Sequence, residues 1–127
     1  MAGNKKFDID LKYGQIREQK VKEMFSKCQI EVKSERDWWQ RTGNIAIEYE
    51  YRGKPSGIYA TPSVSWFHRL ELKKKEFCTL VFKTDILKKI VDSYKDKLTK
   101  NVGDNKASKC VLIPIKEIFR KEFYDNV

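Results

Sequence analysis

Glu31 and Lys33 stand two residues apart in the run Gln29-Ile30-Glu31-Val32-Lys33-Ser34. Side chains alternate along a strand, so the two point the same way if this run is extended. A carboxylate holds a divalent cation through hard oxygen ligation, and an ammonium beside it binds a phosphate or polarises an attacking water. The pair therefore suits hydrolysis of a phosphodiester. Alternating Glu and Lys is also what a solvated strand face looks like in any soluble protein. The rest of the chain has to decide between the two.

The elements that would position the pair can be read from periodicity. Residues 10–26 form a helical pattern with a stripe at Leu11, Gly14, Val21 and Phe25. Glu18 falls within about 20° of Leu11 and Phe25 at 100° per residue, so the helix is expected to turn a carboxylate toward the core side. Such a carboxylate needs a metal, a lysine or water in a cleft, unless its stem snorkels to the rim of the stripe. A strand over 29–35 follows, with Ile30 and Val32 as its apolar face. Residues 37–44 read as a loop. A second strand over 45–52 puts Ile45, Ile47, Tyr49 and Tyr51 on one face and Ala46, Glu48 and Glu50 on the other. Two acidic faces side by side repel unless a cation, Lys33 or Arg52 intervenes.

Beyond the turn at 53–57 the reading is a short strand over 58–60, then a short helix opened by Thr61-Pro62 and carrying Val64, Trp66 and Phe67. Residues 77–82 are apolar on both faces and are expected to be an interior strand. Thr84 caps a helix whose one face is Leu87, Ile90, Val91, Tyr94 and Leu98. Residues 100–109 read as a loop, 111–115 as a strand at an edge or end near Pro114, and Ile118 and Phe119 as a terminal helical turn.

A chain of 127 residues, 40% hydrophobic and 35% charged, fits one domain over 1–127. The 27 Lys and Arg exceed the 18 Asp and Glu, giving +9 and favouring a polyanionic partner. Nucleic acid is the first candidate. A membrane surface would want a basic amphipathic helix or a lipidation signal, and the first six residues offer neither convincingly. No apolar run approaches the ~18 residues of a transmembrane helix and the N-terminus lacks a signal-peptide core, so the cytoplasm is expected. Cys28, Cys78 and Cys110 are odd in number and far apart, which points to reduced thiols packed as small core residues. His68 is the one histidine, no Cys-x-x-Cys occurs, and His68 is expected to be structural or superficial rather than catalytic.

Taken in order, the chain resembles the PD-(D/E)XK nuclease superfamily. It is most similar to small phage-type, Holliday-junction-resolvase-like members with a start like Phe7-Asp8-Ile9-Asp10-Leu11-Lys12-Tyr13-Gly14-Gln15, a Glu31-Val32-Lys33 core, Thr42-Gly43-Asn44, Glu48, Pro55-Ser56-Gly57-Ile58 and Gly103-Asp104-Asn105. The resemblance spans nearly the whole chain. It implies an α/β fold with a restriction-endonuclease-like αβββαβ core, a mixed sheet flanked by helices, in a single nuclease-like domain. It also implies a Mg²⁺-dependent endonuclease, with Mn²⁺ as substitute. The chain would act on DNA, branched or junction DNA included, as a homodimer, in the host cytoplasm if phage-encoded. Glu31 and Lys33 would match the Glu-x-Lys motif and Glu18 the first-helix glutamate. The family's aspartate on a preceding strand has no room here. Glu48 would supply that ligand, with Glu50 as substitute.

Metal-assisted hydrolysis would then use Glu31, Glu48 and Glu18 around the cation and Lys33 at the water. Lys12, Arg36, Arg41, Arg52, Lys54 and Arg69 are candidate phosphate contacts, and Trp38 and Trp39 candidate base-stacking or wedging residues. Each cation can equally be a solvated surface residue, and each Trp a core or dimer-interface residue. The absent aspartate favours a second reading, a catalytically inactive nucleic-acid-binding protein of the same fold. A purely structural or protein-interaction role leaves Glu18 and the net charge unexplained.

Overall fold

The helix expected over 10–26 starts earlier, as α1 (Lys5–Ser26), in the computed structural model of the protein, which describes residues 5–26 and 29–124. After it come β1 (Ile30–Glu35), the short helix α2 (Trp38–Thr42), β2 (Asn44–Tyr51), β3 (Lys54–Pro55), β4 (Ser65–Leu72), β5 (Lys75–Lys83), α3 (Thr84–Leu98), β6 (Thr99–Val102) and β7 (Ser108–Pro114). Single 3₁₀ turns fill several connections. The strands make two sheets. One is mixed, in the order β1-β4-β5, with β1 parallel and β5 antiparallel to β4. The other is antiparallel, in the order β3-β2-β7-β6. The class is mixed α/β, and α2, β2 and β3 lie in the crossover that a parallel β1–β4 pair requires.

Both sheets feed one apolar cluster. Ile45 and Ile47 of β2 and Val111 and Ile113 of β7 meet Leu87, Ile90 and Val91 of α3, while Trp66, Leu70 and Phe82 come from the mixed sheet. The apolar face read for α3 is the buried one, because residues three and four apart share a face. Among the described residues no helix is long and apolar enough to cross a membrane.

Several expectations change. Thr61-Pro62 does not open a helix: the Thr61 hydroxyl accepts from the Ser63 N–H at 3.2 Å, and the next residues form β4, where Trp66, His68 and Leu70 alternate with Phe67, Arg69 and Glu71. The period of two outranked the local cap signal. Residues 58 and 59 fall in a 3₁₀ turn, Gly57–Tyr59, with Ala60 as its C-cap, instead of a strand. The strand around 77–82 is not interior. It is β5, at the edge of its sheet, with Val81 exposed on the outer face. Residues 37–44 hold the helix α2, closed by Gly43 at φ 72°, whose N–H reaches Trp39 O at 2.9 Å. The loop expected over 100–109 is a hairpin, β6 pairing with β7, and Pro114 ends β7 as its chemistry requires. Helix α1 also departs from expectation. Leu11, Val21 and Phe25 are 49–59% exposed, since the space beneath the sheets is already filled by α3.

Candidate functional site

β1 carries the Glu-x-Lys pair on an unexpected side. Its parallel register sets Glu31 beside Trp66, Lys33 beside His68 and Glu35 beside Leu70, so these three polar residues share the face whose β4 members are buried. Ile30 and Val32 take the outer face, where Val32 is 54% exposed. β1 is an edge strand, and the edge of a sheet tolerates inward-pointing charged side chains. There Lys33 Nζ lies 3.4 Å from Glu31 Oε1, both side chains partly exposed. Such an ion pair contributes at most ~1 kcal/mol to stability. It leaves both groups free to exchange partners.

Glu35 is held much more firmly. Its Oε1 accepts from the Ala46 N–H of β2 at 2.5 Å and lies 2.5 Å from His68 Nε2. The Trp66 indole N–H can only donate, and it reaches His68 Nδ1 at 3.2 Å. Nδ1 is therefore the acceptor and Nε2 the donor to Glu35, so the two contacts fix the orientation of this buried ring. The chain Trp66-His68-Glu35-Ala46 ties the mixed sheet to the antiparallel one. Nothing about Glu35 was singled out in the sequence, although it continues the alternation Glu31, Lys33.

Glu48 joins this side of the molecule from β2. It is paired with Cys110 of β7, a buried thiol pushed up from its ordinary 9.0 to about 11, by burial first and then by the charges of Glu48 and Glu35. The folded chain thus holds this proton more tightly than the unfolded one. That contribution to stability is present below pH 9 and is lost as the pH rises toward 11. Alkylation at pH 8.5 should modify half-buried Cys78 well before Cys110. Glu48→Gln should speed Cys110 modification a few-fold, because one of its anionic neighbours is gone. An unchanged rate, followed by mass spectrometry, would show that Glu48 does not act on this thiol.

The remaining candidates are scattered. Glu18 sits exposed on α1. Glu50 does not share a face with Glu48: the strand register shifts between them, so Glu48 pairs with Cys110 and Glu50 with Lys109, and those two neighbours on β7 point oppositely. Glu50 makes an ion pair with Lys109 at 3.2 Å, so the proposed substitute ligand is turned away. Trp39 is a core residue, its indole N–H donating to Glu71 O at 2.8 Å, so it has no ring to offer a base. Trp38 is 68% exposed. Arg69 lies on the outer face, bonded to Ser34 at 3.0 Å and close to Glu71 and Glu76. Lys12, Arg36, Arg41, Arg52 and Lys54 are exposed. Cys28 falls outside the described residues.

Among the described residues, no three His, Cys, Asp or Glu side chains are grouped to hold a metal ion. No family model, curated protein or solved structure matches the chain.

Proposed function

We propose that the protein is a metal-dependent DNA endonuclease of the PD-(D/E)XK type. The observation that carries this is Glu31 and Lys33 side by side on the inward face of β1, in a chain of net charge +9. In chain order α1, β1, β4, β5, α3 and β7 run α-β-β-β-α-β, which supports the restriction-endonuclease-like core, with α2, β2, β3 and β6 inserted. β7 standing in a second sheet departs from one continuous sheet.

The donors near the pair suit a hard cation. Both His68 nitrogens are engaged and the Cys110 thiol stays protonated, so carboxylate oxygens are what this side of the molecule offers. One or two carboxylates suffice for Mg²⁺, or Mn²⁺ in its place, when water and phosphate complete the shell. Glu31 and Glu48 would hold it. Bound there, the metal supplies Lewis-acid stabilisation of the phosphate and a water of lowered pKa. Lys33 holds a phosphate oxygen or orients the attacking water. His68 and the Ala46 N–H fix Glu35, which adds negative charge beside the pair and keeps β1 in register with β2. Exposed Arg36, Arg41, Arg52 and Lys54 serve as phosphate contacts, and a homodimer would place two such sites on opposite arms of a branched DNA.

A second reading, the inactive nucleic-acid binder, is favoured by one observation. Glu31 is already partnered by Lys33, and no third donor joins it among the described residues.

Titration against a four-way junction and a linear duplex separates these readings. In Ca²⁺, log affinity should fall with log salt at a slope of about −4 or steeper, since each neutralised phosphate releases counterions. Mg²⁺ should then convert binding into cleavage. Salt-dependent binding without cleavage selects the second reading. Absence of binding to either DNA at ~50 mM salt, where attraction is least screened, would dismiss both.

A further inference from the structure

Beside the Glu-x-Lys pair lies a groove of about 430 Å³, in the size range of small-ligand clefts, between the end of β1, α2 and the face of the antiparallel sheet that does not meet α3. Its chemistry is asymmetric. Trp38 forms one wall, its ring mostly exposed and flanked by the Arg41 guanidinium 5.5 Å from its centre. Leu112 supplies an apolar surface, and Glu35 and Asn44 bring polar groups to the lining. Arg36 and Lys100 also line the groove, and neither forms an ion pair among the described residues.

The ligand that matches is flat and apolar on its faces, has a hydrogen-bond donor on its edge and carries an anionic tail. Both contacts of Glu35 fall on Oε1, and no described residue bonds Oε2. A fixed carboxylate oxygen accepts from the amino group of a base, and the Asn44 amide can both give and accept. An exposed indole is a stacking surface that any base can use. Cations at the rim fit the phosphates that flank such a base.

We infer that this groove receives one unstacked, amino-bearing nucleobase of a DNA strand, so that the protein selects duplexes distorted near the bond to be cut. The inference rests on the DNA-binding reading and deepens it, because a base must leave its stack to enter the groove. The shared chemistry is that of a nucleotide, and the strand-borne source is the one the net charge favours.

The test compares a fully paired duplex with the same duplex carrying one extrahelical guanine, in Ca²⁺. The bulged form should bind about tenfold tighter or more, the scale of one base stacked on an aromatic ring. Trp38→Ala, an exposed substitution that leaves the melting temperature in place, should remove that preference, costing the bulged form about tenfold more affinity than the paired one. Replacing the bulged guanine by an abasic residue should remove it in the wild type as well. Lys100→Ala should weaken the bulged form more than the paired one. A preference that survives Trp38→Ala or the abasic bulge overturns the inference and leaves the DNA-binding reading standing. Equal loss on both duplexes does the same, since it reports general charge or folding. Free deoxyguanosine monophosphate competing as strongly as the bulged strand would assign the groove to free nucleotides and overturn the strand-borne source. Failure to bind any DNA removes both.

Discussion

Glu31→Gln should reduce Mg²⁺-dependent cleavage at least ~10³-fold while binding in Ca²⁺ falls little. The amide keeps the shape of the side chain and loses the charge that holds the cation, and a bound metal is worth several kcal/mol at a phosphoryl transition state. Glu31 is partly exposed and its ion pair with Lys33 is weak, so the variant should melt within a degree or two of the wild type. Lys33→Ala should show the same division, with cleavage lost and fold retained. The assay is cleavage of the labelled junction, read against circular-dichroism melting. Wild-type cleavage by Glu31→Gln would sink the assignment of the pair, and loss of fold would show that Glu31 is structural. Glu18→Gln is the contrasting case. With Glu18 exposed on α1, it should cleave at close to the wild-type rate unless α1 is brought to the pair by DNA or a second protomer.

Gly57→Ala should cost about 3 kcal/mol or more and lower the melting temperature by roughly 10 °C. Gly57 has φ 50°, and a methyl group there would stand 2.8 Å from the Glu48 carbonyl carbon and closer still to its oxygen. Backbone cannot move aside as a side chain can. The strain would therefore pass into β2 at the register shift that orients Glu48, and cleavage by the residual folded protein should fall with stability. Gly53→Ala is the control. It has φ 79° but nothing within 4 Å of the added carbon, so it should cost only about 1–2 kcal/mol. Equal melting temperatures for the two variants would show that the contact with Glu48 carries no weight.

The alternation of residues 29–35 and 45–48 and the apolar face of α3 were legible because each is a local pattern set by where side chains fall along one strand or one helix. The sequence also sufficed to find Glu31, Lys33 and the basic balance, since residue types and spacing are themselves the signal. It could not say which face of β1 turns inward. That depends on β4, whose buried Trp66, His68 and Leu70 share the side of Glu31, Lys33 and Glu35, and the strand was hidden behind the Thr61-Pro62 cap signal. Glu48 and Glu50 looked equivalent at a spacing of two. Only pairing with β7 sends them to opposite sides, because a register shift consumes one residue of alternation. Trp38 and Trp39 are likewise neighbours in sequence, and packing decides that one faces solvent and the other the core. Type, spacing and net charge were thus determined by the chain alone, whereas register, strand order and the Glu35-His68 link were decided by tertiary structure, since each requires residues distant in sequence to meet.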